Sequence, residues 1–302
     1  GRHHLDSRRR TSSRSRNIPN FAQIYETINH DKAVDAFAKT AFLKLNGGLG
    51  TSMGLDCAKS LLPVRRHKAK QMRFIDIILG QVETARNRLG VELPLTFMNS
   101  FRTSADTMKV LNRDKRFHQD DIPMEIIQHV EPKIDLSTGE PVSFPSNPDL
   151  EWCPPGHGDL YSTLWESGLL DILESHGFKY LFISNSDNLG ARPSRTLAQH
   201  FENTDAPFMI EVSKRTEADR KGGHIVRDKV TGRLMLREMT QVALKTRRKP
   251  RTSTSIRISI RTTSGCASTP YARSWHRATA CSRCLSFAIT RPSTQRMPPP
   301  PR

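Results

Sequence analysis

The chain predicts a doubly wound α/β domain built on a mixed, mainly parallel sheet. Three observations carry that prediction. Short apolar runs, such as residues 41–45 and 179–184, read as strands buried on both faces. These runs alternate with amphipathic helical segments, as in crossover-connected parallel strands. They also end in glycine- or asparagine-rich loops, and open α/β sheets bind ligands at such strand ends.

Residues 1–16 hold six Arg and one Asp among Ser and Thr, so they predict a disordered basic tail. His3 and His4 read as part of that solvated tail. Residues 20–39 predict one helix, with Phe21, Ile24, Tyr25 and Ile28 at helical spacing. Residues 41–45 predict the first strand, 74–88 a helix and 93–98 a strand. A helix is expected over 103–111, with Ser104 as N-cap, and a short strand over 124–128. Residues 131–158 form a Pro/Gly/Asn/Ser-rich excursion, a length typical of functional loops or lids. Asp159 predicts the cap of one helix over 160–175, ended by Gly177. Residues 179–184 predict the cleanest parallel-type strand, 194–203 a helix and 207–214 a strand. Residues 224–228 and 233–238 predict a hairpin around Thr231-Gly232.

Charge divides the chain. The net charge of +17 over 302 residues first suggests a nucleic-acid partner. Its distribution argues otherwise. Residues 1–16 carry a net +5 and residues 243–302 a net +13, while 17–242 come to −1. Nucleic acid is therefore expected to be attracted only nonspecifically, through the flanks. No apolar run is long enough to span a bilayer, and there is no secretory h-region. Cys57 and Cys153 stand alone in the central part, which fits a reducing, cytoplasmic setting. The start at Gly1 reads as a fragment or a processed end.

Residues 243–302 contain no Asp or Glu, and Arg, Ser, Thr and Pro dominate. They read as a second disordered basic tail without sustained apolar periodicity. Cys281 and Cys284, with Cys266 and His276, do not match a standard zinc spacing. A displaced reading frame in a GC-rich gene would produce text of this kind. The expected organisation is tail 1–16, catalytic domain 17–242 and tail 243–302.

Four stretches could carry chemistry. Lys44-Leu45-Asn46-Gly47-Gly48-Leu49-Gly50-Thr51-Ser52-Met53-Gly54 follows a strand and places four glycines in eight residues, with Lys59 beyond. Such a turn lets backbone N–H groups approach a phosphate, and a lysine adds a point charge. It is neither a Walker A loop nor the dinucleotide fingerprint. Pro154-Pro155-Gly156-His157-Gly158-Asp159-Leu160-Tyr161 sets an imidazole and N–H groups at a helix start. Ser184-Asn185-Ser186-Asp187-Asn188-Leu189-Gly190 follows the best strand, where Asp187 could hold Mg²⁺ by a hard oxygen. Residues 215–224 bring Gly222-Gly223 beside basic side chains, suited to closing over an anionic substrate. Each stretch alone also fits a purely structural turn.

Taken together and in order, these motifs, with residues 97–104 and the sequence around Gln128, resemble the UTP–glucose-1-phosphate uridylyltransferases over about residues 40–242. The resemblance implies a Rossmann-like, GT-A-like nucleotidyltransferase fold lacking the family's C-terminal β-helix domain. It implies UTP and glucose 1-phosphate as substrates, Mg²⁺ as cofactor, and an in-line displacement giving UDP-glucose and pyrophosphate. It assigns the uracil to the backbone of Leu45, Asn46, Gly47 and Gly48, with Gln128 and Gly156. It assigns the triphosphate to Gly48, Gly50, Thr51 and Lys59, the sugar phosphate to His157, and Mg²⁺ to Asp187. Asn185, Gly222, Gly223 and Glu238 would approach the sugar, and Lys59 and Asp187 would be catalytic. After Val242 the family's Asn-Asn-Leu-Trp continuation and a further phosphate-binding lysine are missing, so weak activity and an unmet sheet edge are expected. The alternatives are a UDP-N-acetylhexosamine pyrophosphorylase, whose loop is shorter and which lacks the PPGHGD sequence, and a non-catalytic nucleotide binder with a polyanion-attracting tail.

Overall fold

The computed structural model describes residues 11–12, 19–49, 57–67, 70–119, 121–204, 206–214, 223–228, 234–238 and 252–261. Within the expected N-terminal tail, β1 (Thr11–Ser12) pairs antiparallel with residues 227–228. The single helix expected over 20–39 is two, α1 (Phe21–Thr27) and α2 (His30–Ala38). Asn29 divides them. Its side-chain oxygen accepts hydrogen bonds from the backbone N–H groups of Asp31 and Lys32, and that cap starts a new helix.

β2 (Thr40–Leu45) is buried along its length. A basic hairpin, β3 (Pro63–His67) and β4 (Lys70–Arg73), leads into α3 (Phe74–Leu89). β5 (Leu95–Asn99), α4 (Ser104–Leu111) and β6 (Glu125–Ile127) follow. Ser104 is not the N-cap of α4. That position belongs to Thr103, and Ser104 Oγ donates to Glu125 on β6 instead. The excursion after β6 is closed by the antiparallel pair β7 (Glu131–Pro132) and β8 (Trp152–Cys153). The helix expected over 160–175 is also two, α5 (Leu160–Glu166) and α6 (Leu169–Ser175). Gly168 between them adopts φ 68°, a left-handed turn that an α-helix cannot continue through. Asp159 makes no capping bond, because its carboxylate is engaged elsewhere.

β9 (Tyr180–Asn185), α7 (Arg195–Asn203) and β10 (Phe208–Lys214) come next. β11 (Gly223–Asp228) and β12 (Leu234–Glu238) pair antiparallel as the hairpin pattern predicts. The residues of their turn lie outside the described set. The last strand is a correction. Residues 252–261, expected as part of a tail, form β13 (Thr252–Arg261), antiparallel to both β9 and β10 and lying between them. Ile256, Ile258 and Ile260 alternate with Ser and Arg, and this period-two pattern was hidden by the basic composition.

The six-stranded sheet runs β10-β13-β9-β2-β5-β6, with β9, β2, β5 and β6 parallel. Alternation sorts the side chains of β2. Ala41, Leu43 and Leu45 pack with Leu181, Ile183, Leu160, Leu164 and Leu173 on one face. Phe42 packs with Phe37, Ile75, Ile78, Phe97 and Phe182 on the other. Each fully buried Leu or Phe contributes about 2 kcal/mol, and burial on both faces explains the uninterrupted apolar runs. From β2 the chain builds outward through β5 and β6, then returns to the far side of β2 with β9. The order therefore reverses at β2, which opens a crevice beyond the carboxyl ends of β2 and β9.

Candidate active site

The first residue beyond each of β2, β6 and β9 is fastened to a neighbouring strand. Asn46 N–H donates to Met98 O at 2.8 Å, Gln128 N–H to Asn99 O at 2.9 Å, and Ser186 N–H to Leu45 O at 3.0 Å. Three loops thus leave the sheet side by side. Beneath them lies a buried polar network. The Asn46 side chain donates to Asn99 Oδ1 at 2.7 Å and Thr107 Oγ1 at 2.9 Å, and accepts from Ser186 Oγ at 2.8 Å. Asn99 in turn donates to Glu125 Oε2 at 2.8 Å. Asn46 is buried and its amide is committed to these partners, so its side chain is a brace for the loops.

Two glycines give this platform its shape. A Cβ on Gly47 would stand 2.1 Å from Gln128 Nε2, so the Gln128 side chain lies directly over Gly47. A Cβ on Gly48 would stand 3.9 Å from Cδ and Cε of Lys59. Lys59 is held there by its own N–H, which donates to Gly48 O at 3.2 Å, and by the Leu49–Ala58 bridge. Its ammonium lies 3.7 Å from Asp187 Oδ2. Both side chains are more than one-third exposed, so the pair adds little stability and is free to exchange for a ligand's charges.

Gly156 adopts φ 97°, where an L side chain is strained, and opens the short turn His157–Asp159. Burial pushes the His157 imidazole below its usual pKa; Asp187 opposes that shift and Lys59 adds to it. His157 is therefore neutral at pH 7 and senses the Lys59–Asp187 pair. Asn185 ends β9 opposite Leu45, two residues from Asp187. Gly47, Gly48, Lys59, Gln128, His157 and Asp187 thus lie together beyond the strand ends. Gly50, Thr51 and Gly222 lie outside the described residues. Gly223 and Glu238 are partners at the end of the β11–β12 hairpin.

A profile of the UTP–glucose-1-phosphate uridylyltransferases matches residues 2–261. Among curated relatives, a probable UTP–glucose-1-phosphate uridylyltransferase of Schizosaccharomyces pombe is 37% identical over 221 residues, covering 72% of this chain and 42% of the relative. Among solved structures, a UDP-glucose phosphorylase of Trypanosoma brucei superposes with TM-score 0.72 at 35% identity, covering 83% of this chain and 53% of its own. A mutant UDP-glucose pyrophosphorylase of Leishmania major, solved with UDP-glucose, gives TM-score 0.70 at 35% identity, covering 82% and 54%. The chain belongs to the UTP–glucose-1-phosphate uridylyltransferase family. It spans about two-fifths of the curated relative's length.

The family match reaches beyond both limits of the resemblance read from the motifs, and its C-terminal limit coincides with the end of β13. Several residues that shape this site gave no motif signal. Lys44 is buried, with Nζ donating to Ser184 Oγ at 2.7 Å and to Ala191 O at 3.2 Å. It grips both ends of the loop that carries Asp187. The Glu125–Asn99 contact and the partners of Asp159 were equally silent, since each joins distant segments. The one available hint for Lys44 was a lone lysine inside an otherwise apolar strand. Among the described residues no cluster of three or more His, Cys, Asp or Glu could cage a metal, and no helix is long and apolar enough to cross a membrane.

Proposed function

We propose that the crevice binds a uridine nucleotide beside a sugar phosphate, and that the parent activity is transfer of uridylate from UTP to glucose 1-phosphate. The observation that carries this is the convergence of Gln128 over Gly47 with Lys59 beside both Gly48 and Asp187. Gln128 and the backbone of residues 45–48, with Gly156, read the uracil. Gly48, Gly50, Thr51 and Lys59 hold the phosphates. Neutral His157 donates a hydrogen bond to the sugar phosphate, while Asn185, Gly222, Gly223 and Glu238 line the sugar side. A phosphate oxygen of glucose 1-phosphate attacks the α-phosphorus of UTP in line, the bond to the bridging oxygen breaks, and pyrophosphate leaves. Catalysis is positioning and charge neutralisation, with no covalent enzyme intermediate.

Magnesium fits the donor set. One exposed carboxylate, Asp187, suits an ion that keeps its waters and leans on phosphate oxygens. Bound there, it would supply neutralisation of the phosphate charge. UTP titrated into the chain is expected to bind more tightly with Mg²⁺ than without. Asp187→Asn is expected to remove that difference and leave UMP binding within about twofold, as measured by calorimetry. Failure of UTP to bind in any condition overturns the assignment. Glucose is favoured over N-acetylhexosamine by the family match, and sugar-phosphate exchange checks it. Cys57 and Cys153, both free thiols among the described residues, favour the cytoplasm. The basic flanks attract nucleic acid only nonspecifically.

The reading frame bears on how active this chain is. The codons of Thr262, Thr263, Ser264 and Gly265 begin AC, AC, TC and GG when serine uses its TCN form. Those pairs are the last two bases of AAC, AAC, CTC and TGG, which encode Asn-Asn-Leu-Trp, the continuation the family resemblance calls for. Sequencing the gene is expected to show A, A, C and T as the third bases of the codons for residues 261–264. Any other set of third bases there removes the displaced-frame account of the tail.

A further inference from the structure

His129, one residue past Gln128, has no part in the reading above. Its backbone N–H donates to Asp159 Oδ2 at 2.7 Å, and its ring Nδ1 lies 2.7 Å from Asp159 Oδ1. Its Nε2 lies 2.8 Å from Glu166 Oε2. The Asp159 carboxylate is only 8% exposed and also accepts from Thr163 Oγ1 at 3.0 Å. Asp159 closes the turn that begins after Gly156 and carries His157, and Glu166 ends the helix that follows. One imidazole therefore ties the segment presenting Gln128 to both ends of α5, the helix that follows directly on the His157 turn. A ring with a carboxylate at each nitrogen must donate at both, which requires the imidazolium form.

We infer that His129 is a positioning residue: its bridge to Asp159 and Glu166 sets the spacing between the uracil side and the sugar-phosphate side of the crevice, so that the grip on a uridine nucleotide depends on the bridge. This rests on the uridine-nucleotide reading. Hydrogen bonds from Glu166 and then Asp159 raise the His129 pKa above its ordinary value, and no other charge among the described residues bears on it. The bridge is fully formed below about pH 6.5, the value of a free imidazole, and is lost as pH rises through the higher folded value. Burial shifts the His157 imidazole the other way, downward from its ordinary value.

The test is UDP-glucose affinity by calorimetry between pH 6.5 and 8.5, where the ligand's diphosphate does not titrate. The wild-type chain is expected to lose roughly tenfold in affinity across the range. His129→Asn should bind about tenfold more weakly at pH 6.5 and show a flat profile. Glu166→Gln, an exposed change that leaves the fold alone, should move the midpoint to lower pH. A slope that survives in His129→Asn, or an unmoved midpoint in Glu166→Gln, overturns the inference and leaves the uridine reading standing. A wild-type chain that binds no UDP-glucose at any pH overturns both.

Discussion

Gly47→Ala is expected to weaken UMP binding ten- to a hundredfold while leaving the unfolding midpoint nearly unchanged. A methyl at that position meets Gln128 Nε2 at 2.1 Å, a separation no folded protein tolerates. The atom that must yield is the far end of a flexible side chain, so the backbone has no need to move. Gln128 swings away, and the crevice loses the amide that we propose reads the uracil edge. A site built around a polar contact loses about 1–3 kcal/mol when that contact is removed. Gln128→Ala should match the loss, and the preference for UMP over CMP should narrow in both variants. Calorimetric titration with the two nucleotides reads it. Unchanged UMP affinity in Gly47→Ala would mean that Gln128 faces no base.

Lys44→Ala has the opposite profile, a large loss of stability together with a disturbed site. Lys44 is among the largest fully buried side chains of the chain, at 2% exposure. Truncation leaves a cavity in the sheet and strips Ser184 Oγ and Ala191 O of a charged donor. Those two effects together cost about 3–5 kcal/mol, measurable by urea unfolding. Lys44→Met fills the space but cannot donate, so it should cost less, about 1–2 kcal/mol. Ser184 and Ala191 flank the loop that bears Asp187. Both variants should therefore blunt the Mg²⁺ dependence of UTP binding even under conditions where they remain folded. An alanine variant as stable as wild type would remove Lys44 from the framework.

Much of the site was legible because its signals are local. Glycines after a buried strand and Asn-Ser-Asp after another are read within a few residues, and both proved to lie at strand ends around one crevice. Helix boundaries were legible only in part. Asn29 and Gly168 interrupt runs whose apolar spacing continues across them, so periodicity alone joined what capping and a left-handed turn divide. Asp159 showed the same ambiguity. An aspartate before a helix is a good cap, yet a nearby imidazole competes for the carboxylate and wins. In 252–261 the composition of the flank masked a simple alternation of isoleucines.

The order of motifs along the chain was enough to read a glycine loop, an aspartate just past a buried strand and an alternating α/β pattern, because each depends on neighbours in sequence. Which loops share a crevice could not be read that way. It follows from the return of β9 to the side of β2 away from β5, and from bonds such as Lys44–Ser184 that join residues 140 positions apart. Such contacts form only after the sheet has closed, when a buried ammonium or imidazole must find whatever acceptor the folded chain has brought to it.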